Sequence, residues 1–289
     1  VWGNLTTAIE KSRNISSDEL DRYLNEGLAM GQASNAVDYK LADGLRYRYE
    51  VENCVKEMAG QDVKGKLKTA GVDKVASIKV KEKDSGNKIA VLYAEGEIRD
   101  DDSSSPFSAD EQVISEEMAN KLRKLKDDDD VKAVVFRVNS PGGSAYISEQ
   151  IWKEVVELKA KKPIVVSMGN YAASGGYYIS CAANKIVAER TTLTGSIGVF
   201  GVVRNFTGTF DKVGVTTDIV KTNTFADLGD ISRPMREDEK ALIQRGVEQT
   251  YDLFLTRCAD GRGMTKAEID SIGQGRVWTG EQLSLIHIS

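Results

Sequence analysis

A serine set among small residues, Tyr171-Ala172-Ala173-Ser174-Gly175-Gly176-Tyr177-Tyr178, is the stretch of this chain whose residue types point most directly to chemistry. It follows the apolar run Ile164-Val165-Val166-Ser167-Met168 and leads into Ile179-Ser180-Cys181-Ala182-Ala183, so a strand, a tight turn and a helix are predicted to meet at one hydroxyl. In the first turn of a helix, free backbone N–H groups and the positive end of the helix dipole favour a developing negative charge. Ser174 is therefore the candidate nucleophile. Ala172 and Ala173 leave room for an incoming chain, and Gly175 and Gly176 allow the backbone to approach a carbonyl closely. Read alone, the same segment fits a small-residue turn that packs a helix on a sheet.

A second stretch adds weight to catalysis. Ala133-Val134-Val135-Phe136-Arg137-Val138 has the pattern of a buried strand, and it runs through Asn139-Ser140-Pro141-Gly142-Gly143-Ser144 into a helix with apolar positions Ile147, Ile151, Val155 and Leu158. Proline and paired glycines between strand and helix expose backbone amides, and N–H groups of Gly142 and Gly143 could hold the oxyanion of a tetrahedral intermediate. A glycine-rich turn after a strand can also cradle phosphate, but the GxGxxG and GxxxxGK[ST] spacings are missing, which disfavours nucleotide binding.

Together, Asn139 to Gly143, Ala172 to Tyr177, Thr194-Gly195-Ser196-Ile197-Gly198-Val199-Phe200-Gly201 and Gly275-Arg276-Val277-Trp278-Thr279-Gly280 resemble the signal peptide peptidase A family, serine peptidases of the protease IV type. The resemblance implies an α/β fold shared with the Clp protease and the crotonases, built of repeated ββα units with mostly parallel sheets and flanking helices. It implies that Ser174 is the nucleophile, that a lysine replaces histidine as its base, and that Ser196 hydrogen-bonds this lysine. Gly175 joins Gly142 and Gly143 as an oxyanion or substrate-binding position. The unaided reading of Ser196 is a turn serine satisfying its own backbone.

Composition suits a lysine base, because the single histidine, His287, lies in a terminal tail, 283–289, that no longer resembles the family. A lysine accepts a proton at neutral pH only where burial disfavours its ammonium form. In single-repeat members of the resembled family that base lies in a segment patterned Lys-Ser-Gly-x-Tyr-Lys-Asp. The stretch here is Lys221-Thr222-Asn223-Thr224-Phe225-Ala226-Asp227, with alanine at the base position. Duplicated members take the lysine from their first repeat, and the expectation is that it lies upstream of Val1. Lys221 is a poor substitute, being displaced by five residues.

The opening residues support a duplication. Arg13-Asn14-Ile15-Ser16-Ser17-Asp18-Glu19-Leu20-Asp21 aligns without gaps to Arg262-Gly263-Met264-Thr265-Lys266-Ala267-Glu268-Ile269-Asp270 at a constant offset of 249 residues. Residues 1–60 are thus expected to be the helical end of a first repeat, with an apolar stripe of Leu20, Tyr23, Leu24 and Leu28 and a helix start at Ser16 to Glu19. Residues 61–87 read as a connection, with a short strand at Ala76 to Val80, and 88–282 as the nucleophile-bearing repeat. Within it, Asp100 to Pro106 is a polar stretch flanking the groove, Val215 to Val220 a strand, and Ile243, Val247, Tyr251, Phe254 and Cys258 one face of a long helix.

The balance of 39 basic against 44 acidic residues gives a net charge of −5 with no basic patch, which argues against a nucleic-acid partner. The aspartate runs at 100–102 and 127–130 lack a calcium-loop pattern, and three cysteines without a CxxC pair argue against a disulfide framework or zinc site. No cofactor or metal is expected. No run of 18 apolar residues occurs, and the membrane anchor usual in the resembled family would lie in a segment absent here. The expected role is a Ser/Lys endopeptidase acting on released signal peptides and other apolar peptides. It would be a homo-oligomer on the extracytoplasmic side of the bacterial inner membrane. A crotonase-like acyl-CoA enzyme and a catalytically silent oligomerisation fragment are the alternatives.

Overall fold

The structure, a computed structural model, describes residues 2–67, 87–100 and 112–285. The expected strand at Ala76 to Val80, nearly all of the polar stretch at Asp100 to Pro106, and His287 lie outside them. In chain order the helices and strands are α1 (Trp2–Arg13), α2 (Ser17–Asn25), α3 (Ser34–Asp38), α4 (Arg48–Met58), β1 (Lys88–Glu95), β2 (Glu97–Ile98), β3 (Val113–Ile114), α5 (Glu117–Asp127), β4 (Val131–Ser140), α6 (Ala145–Lys161), β5 (Ile164–Ala173), α7 (Gly175–Tyr178), β6 (Lys185–Val187), β7 (Leu193–Gly195), α8 (Thr207–Val213), α9 (Glu237–Arg262), α10 (Lys266–Ile272), β8 (Val277–Thr279) and α11 (Gly280–Leu285). They fall into two compact units, Val1–Leu45 with Val199–Asp252 and Arg46–Gly198 with Leu253–Ser289. The cut differs from the expected 1–60 and 88–282, since α4 groups with the Ser174 unit and 199–252 with the opening helices.

In the first unit the expected helix start is present. Ser16 Oγ accepts from the Glu19 N–H at 3.3 Å while the Glu19 carboxylate accepts from the Ser16 N–H at 3.1 Å, a reciprocal cap that fixes the first turn of α2. Leu20 and Tyr23 are buried with Ile15, and Ile9, Leu24, Tyr39 and Leu41 pack around them; Leu28 instead opens a 3-10 turn. The strand expected at Val215 to Val220 is not formed: β-branched residues supply the propensity but no ladder partner is present among the described residues.

The second unit carries a sheet in the order β1-β4-β5-β7-β8, with β6 also paired to β5. All pairings are parallel except β7 with β8. Alternation along β4 sends Val134, Phe136 and Val138 to the helix-covered face, each at most 1% exposed. Ile147, Ile151, Val155 and Leu158 of α6 recur at helical spacing and are wholly buried, as expected for the stripe that packs on a sheet. Glu154 on the same helix is buried too, neutralised by Arg123 at 2.8 Å and Lys126 at 3.5 Å. The opposite sheet face is open at Ile89, Val91 and Tyr93 of β1. Cys181 and Cys258 are buried, as their apolar context implies.

Candidate active site

Strand β5 ends at Ala173, and the chain turns at Ser174 with φ 51° and ψ −120°, a left-handed conformation that a residue with a side chain adopts only at a cost. Two bonds hold the turn. The Ser174 N–H donates to Gly195 O at 2.9 Å, and Ser174 O accepts from the Tyr178 N–H at 2.9 Å. The helix that follows is a single turn, shorter than expected, so individual amides rather than a long helix dipole define the electrostatics. The Gly175 N–H has no acceptor among the described residues.

The loop Pro141–Gly143 lies directly against this turn. A Cβ at Gly142, where φ is 104°, would come 2.6 Å from Gly175 N and 2.8 Å from Ser174 Cβ. At Gly143, where φ is 146°, a Cβ would lie 2.0 Å from Ile98 O. Neither position admits a side chain, which accounts for the paired glycines. The loop is fixed from its other side by β2: the Ile98 N–H donates to Gly142 O at 2.8 Å and Ile98 O accepts from the Ser144 N–H at 2.7 Å. The amide of Gly142 differs from expectation. It donates to the Oγ of fully buried Ser140 at 3.1 Å and is not free for an oxyanion. The Gly143 N–H has no acceptor among the described residues, so the unpaired donors beside Ser174 are those of Gly143 and Gly175.

Ser196 is brought alongside. Strands β5 and β7 pair Ala173 with Gly195 in their last rung, so Ser174 and Ser196 are the residues that leave the two paired strands there. Ser196 also has a left-handed φ, 48°, and its N–H donates to Arg276 O at 2.7 Å. The Arg276 to Gly280 segment is thus tied to β7, with Trp278 Nε1 donating to Ile272 O at 3.0 Å. Among the described residues neither Ser174 Oγ nor Ser196 Oγ has a hydrogen-bond partner.

One group near the turn was not foreseen. Tyr178, four residues past Ser174, donates its hydroxyl to Glu149 on α6 at 2.6 Å, and Arg257 and Tyr47 donate to the same carboxylate. Burial, with Glu149 beside it, pushes the Tyr178 hydroxyl well above the usual tyrosine range. A tyrosine in a helix and a glutamate on another carry no sequence signal of meeting.

In the first unit Lys221 donates to Asp227 at 3.2 Å and to Thr224 O at 3.3 Å. Burial alone would raise the Asp227 carboxyl, but hydrogen bonds from Arg233, Lys221 and Arg236 outweigh it and hold the group well below the usual carboxylate range. Lys221 thus serves a charge cluster. Ala226 stands in a turn, its N–H on Asn223 O at 3.3 Å.

The sheet and the serine turn define an α/β protein of the Clp protease kind, and residues 107–197 match the Clp protease family model. Residues 156–284 match peptidase family S49. The chain belongs to that family, the serine peptidases related to SppA and protease 4. It is 37% identical over 97% of its length to Protease 4 of Salmonella typhi, covering 46% of that protein. It is 36% identical to Protease 4 of Haemophilus influenzae, again covering 46% of it. To the chloroplastic serine protease SPPA of Arabidopsis thaliana it is 31% identical, covering 42%. The chain therefore spans about half the length of these relatives. Among solved structures it is similar to a mutant of ClpP1 from Listeria monocytogenes, with 13% identity, a TM-score of 0.41, and coverage of 68% of this chain and 87% of that one. No described helix is long and apolar enough to cross a membrane.

Proposed function

We propose that the protein is a serine endopeptidase in which Ser174 attacks the scissile carbonyl. The Gly143 and Gly175 amides receive the oxyanion, and Ser196 orients a neutral lysine that accepts the Ser174 proton. The observation that carries this reading is the strained Ser174 turn, set against two backbone N–H groups with no acceptor among the described residues. Donors held in place before the reaction stabilise a developing oxyanion without reorganisation. The lysine comes from another repeat, consistent with alanine at position 226 and with the commitment of Lys221 to Asp227. The substrates are apolar peptides, including cleaved signal peptides, met at the extracytoplasmic face of the bacterial inner membrane. The active form is an oligomer, for which the apolar, open face of β1 offers a surface to cover.

A fluorophosphonate probe tests the assignment on the full-length protein. Labelling is expected at Ser174, with loss of both labelling and peptide cleavage in Ser174→Ala. Peptide cleavage that survives in Ser174→Ala, or labelling at another serine, overturns it.

A further inference from the structure

Glu149 of α6 is a carboxylate with every acceptor position taken. Its Oε1 accepts from the Tyr47 hydroxyl and from Arg257 Nη2 at 2.5 Å, and its Oε2 accepts from the Tyr178 hydroxyl at 2.6 Å and from Arg257 Nε at 3.2 Å. An ionised carboxylate offers about four lone-pair sites, so these four donors leave it little freedom to turn. Arg257 is itself held, its guanidinium 4.0 Å over the ring of Trp152, one turn further along α6. The Glu149 side chain is 14% exposed and Tyr178 is 3% exposed. The Tyr178 ring already packs on Phe254, with centroids 4.7 Å apart, so what the hydroxyl bond adds is direction rather than burial.

What Tyr178 directs is the serine turn. A single helical turn such as α7 fixes its dihedrals for little hydrogen-bond return, so its orientation is set by what grips its ends. At its start, a Cβ on Gly175 would lie 2.7 Å from Ser148 Oγ, which places α6 against the backbone there. At its end stands Tyr178, whose N–H donates to Ser174 O at 2.9 Å. Ser148 and Glu149, adjacent in α6, thus meet the two ends of α7. The peptide group joining Ser174 to Gly175 is planar, with its C=O and N–H in opposite directions. Holding the Ser174 carbonyl on the Tyr178 N–H therefore sets where the Gly175 N–H points.

We infer that Glu149 is a positioning residue for peptide cleavage: through the Tyr178 hydroxyl it holds the Ser174–Gly175 peptide so that the Gly175 N–H meets the oxyanion. The role rests on the serine peptidase reading above and adds to it a residue that contacts Tyr178 rather than the reacting atoms. An oxyanion donor acts on charge that develops only in the transition state, so the role shows in kcat and not in KM. Tyr47 binds the other carboxylate oxygen and has no hydrogen bond to α7 among the described residues, which makes it the natural comparison.

The test sets Tyr178→Phe against Tyr47→Phe in the full-length protein, with kcat expressed per site titrated by a fluorophosphonate. Each variant removes one hydroxyl from Glu149, and both are expected to lower the thermal midpoint by roughly 1–4 °C. Tyr178→Phe is expected to lower kcat about tenfold with KM within about twofold, short of the roughly hundredfold or greater loss of a whole oxyanion donor. A peptide boronate, whose tetrahedral adduct presents an oxygen to the Gly175 N–H, is expected to bind more weakly by a similar factor. Tyr47→Phe should keep kcat within about twofold of the parent. Glu149→Ala should lower kcat as far as Tyr178→Phe does, and no further when the two are combined. An unchanged kcat in Tyr178→Phe, an equal fall in Tyr47→Phe, a fall that the boronate does not share, or losses that multiply in the double variant overturn the positioning role. Labelling of Ser174 in the parent separates the two failures: where it is absent the peptidase reading falls and the positioning role with it, and where it is present these outcomes remove the positioning role alone.

Discussion

Around Asp227, Arg233 bridges Asp227 at 2.7 Å and Glu239 at 2.6 Å, Arg236 adds a contact to Asp227 at 3.1 Å, and Lys221 completes the set. Both carboxylates are nearly buried there, and each meets its cations. Around Ser174 the arrangement is reversed. A left-handed serine, two backbone donors and two hydroxyls on neighbouring turns have no hydrogen-bond partners among the described residues. The first region uses its hydrogen-bonding capacity to hold a loop in place, whereas the second leaves that capacity unused among the described residues and accepts strain, as the proposed catalytic role requires. A residue in the first should therefore register in stability, and one in the second in turnover.

The largest expected effect is that of Ser174→Ala in the intact protein. It should lower peptide cleavage by a factor of about a thousand or more, with the thermal midpoint unchanged or slightly raised, because the alanine removes the nucleophile and little packing. A parallel fall in midpoint would blur the contrast between the regions. Next is Arg233→Met, which leaves Asp227 to Arg236 and Lys221 and Glu239 to Arg236 alone, and should cost about 2–3 kcal/mol in denaturant unfolding.

The pH dependence sharpens that second prediction. Hydrogen bonds from Arg233 hold the Glu239 carboxyl below its ordinary range, and those from Arg233, Lys221 and Arg236 overcome burial to do the same for Asp227. Since both folded values lie below the unfolded ones, their stabilisation is full above the ordinary carboxylate pKa, about 4. It is lost as the pH falls from there through the depressed folded values. Arg233→Met should flatten this acid limb of the stability profile, and an unchanged limb would show that the cluster does not govern it.

Smaller effects separate the glycines. Gly142→Ala forces a Cβ into Gly175 and Ser174 and should cost about 2 kcal/mol or more, with loss of probe labelling in the full-length protein. Ser140→Ala removes only the acceptor of the Gly142 N–H and should cost about 1 kcal/mol, with labelling retained. Retention of labelling in Gly142→Ala would show that the two loops need not touch. The smallest effect is that of Lys221→Ala, an ion pair open to solvent, at under about 1 kcal/mol and with no change in cleavage.

What could be read in advance follows the range of the interactions. The strand, turn and helix at Ser174, the apolar stripe of α6 and the caps of α2 rest on neighbours in sequence, and each is present. Which of two adjacent glycines keeps its amide free depends on Ser140 Oγ, a side-chain orientation that no spacing reports. Val215 to Val220 has the composition of a strand, but pairing needs a distant partner that composition cannot supply. Glu149 gathers Tyr47, Tyr178 and Arg257 from separate helices and their flanks, so the group exists only once the chain is folded. The open β1 face, too, was invisible, because a continuous apolar run reads as covered on both sides.

Strand β5 changes partners midway along one flank. Val165 to Ser167 pair with β6, Tyr171 to Ala173 pair with β7, and Thr192 Oγ1 covers the gap by donating to Gly169 O at 2.8 Å. The sheet is therefore segmented along that edge. Insertions between Val187 and Leu193 should be absorbed by the loop that bridges the segments. A change of the same size within β7 would shift the Ala173–Gly195 rung that Ser174 and Ser196 follow, so evolutionary tinkering has a permissive lane a few residues from one that it cannot enter.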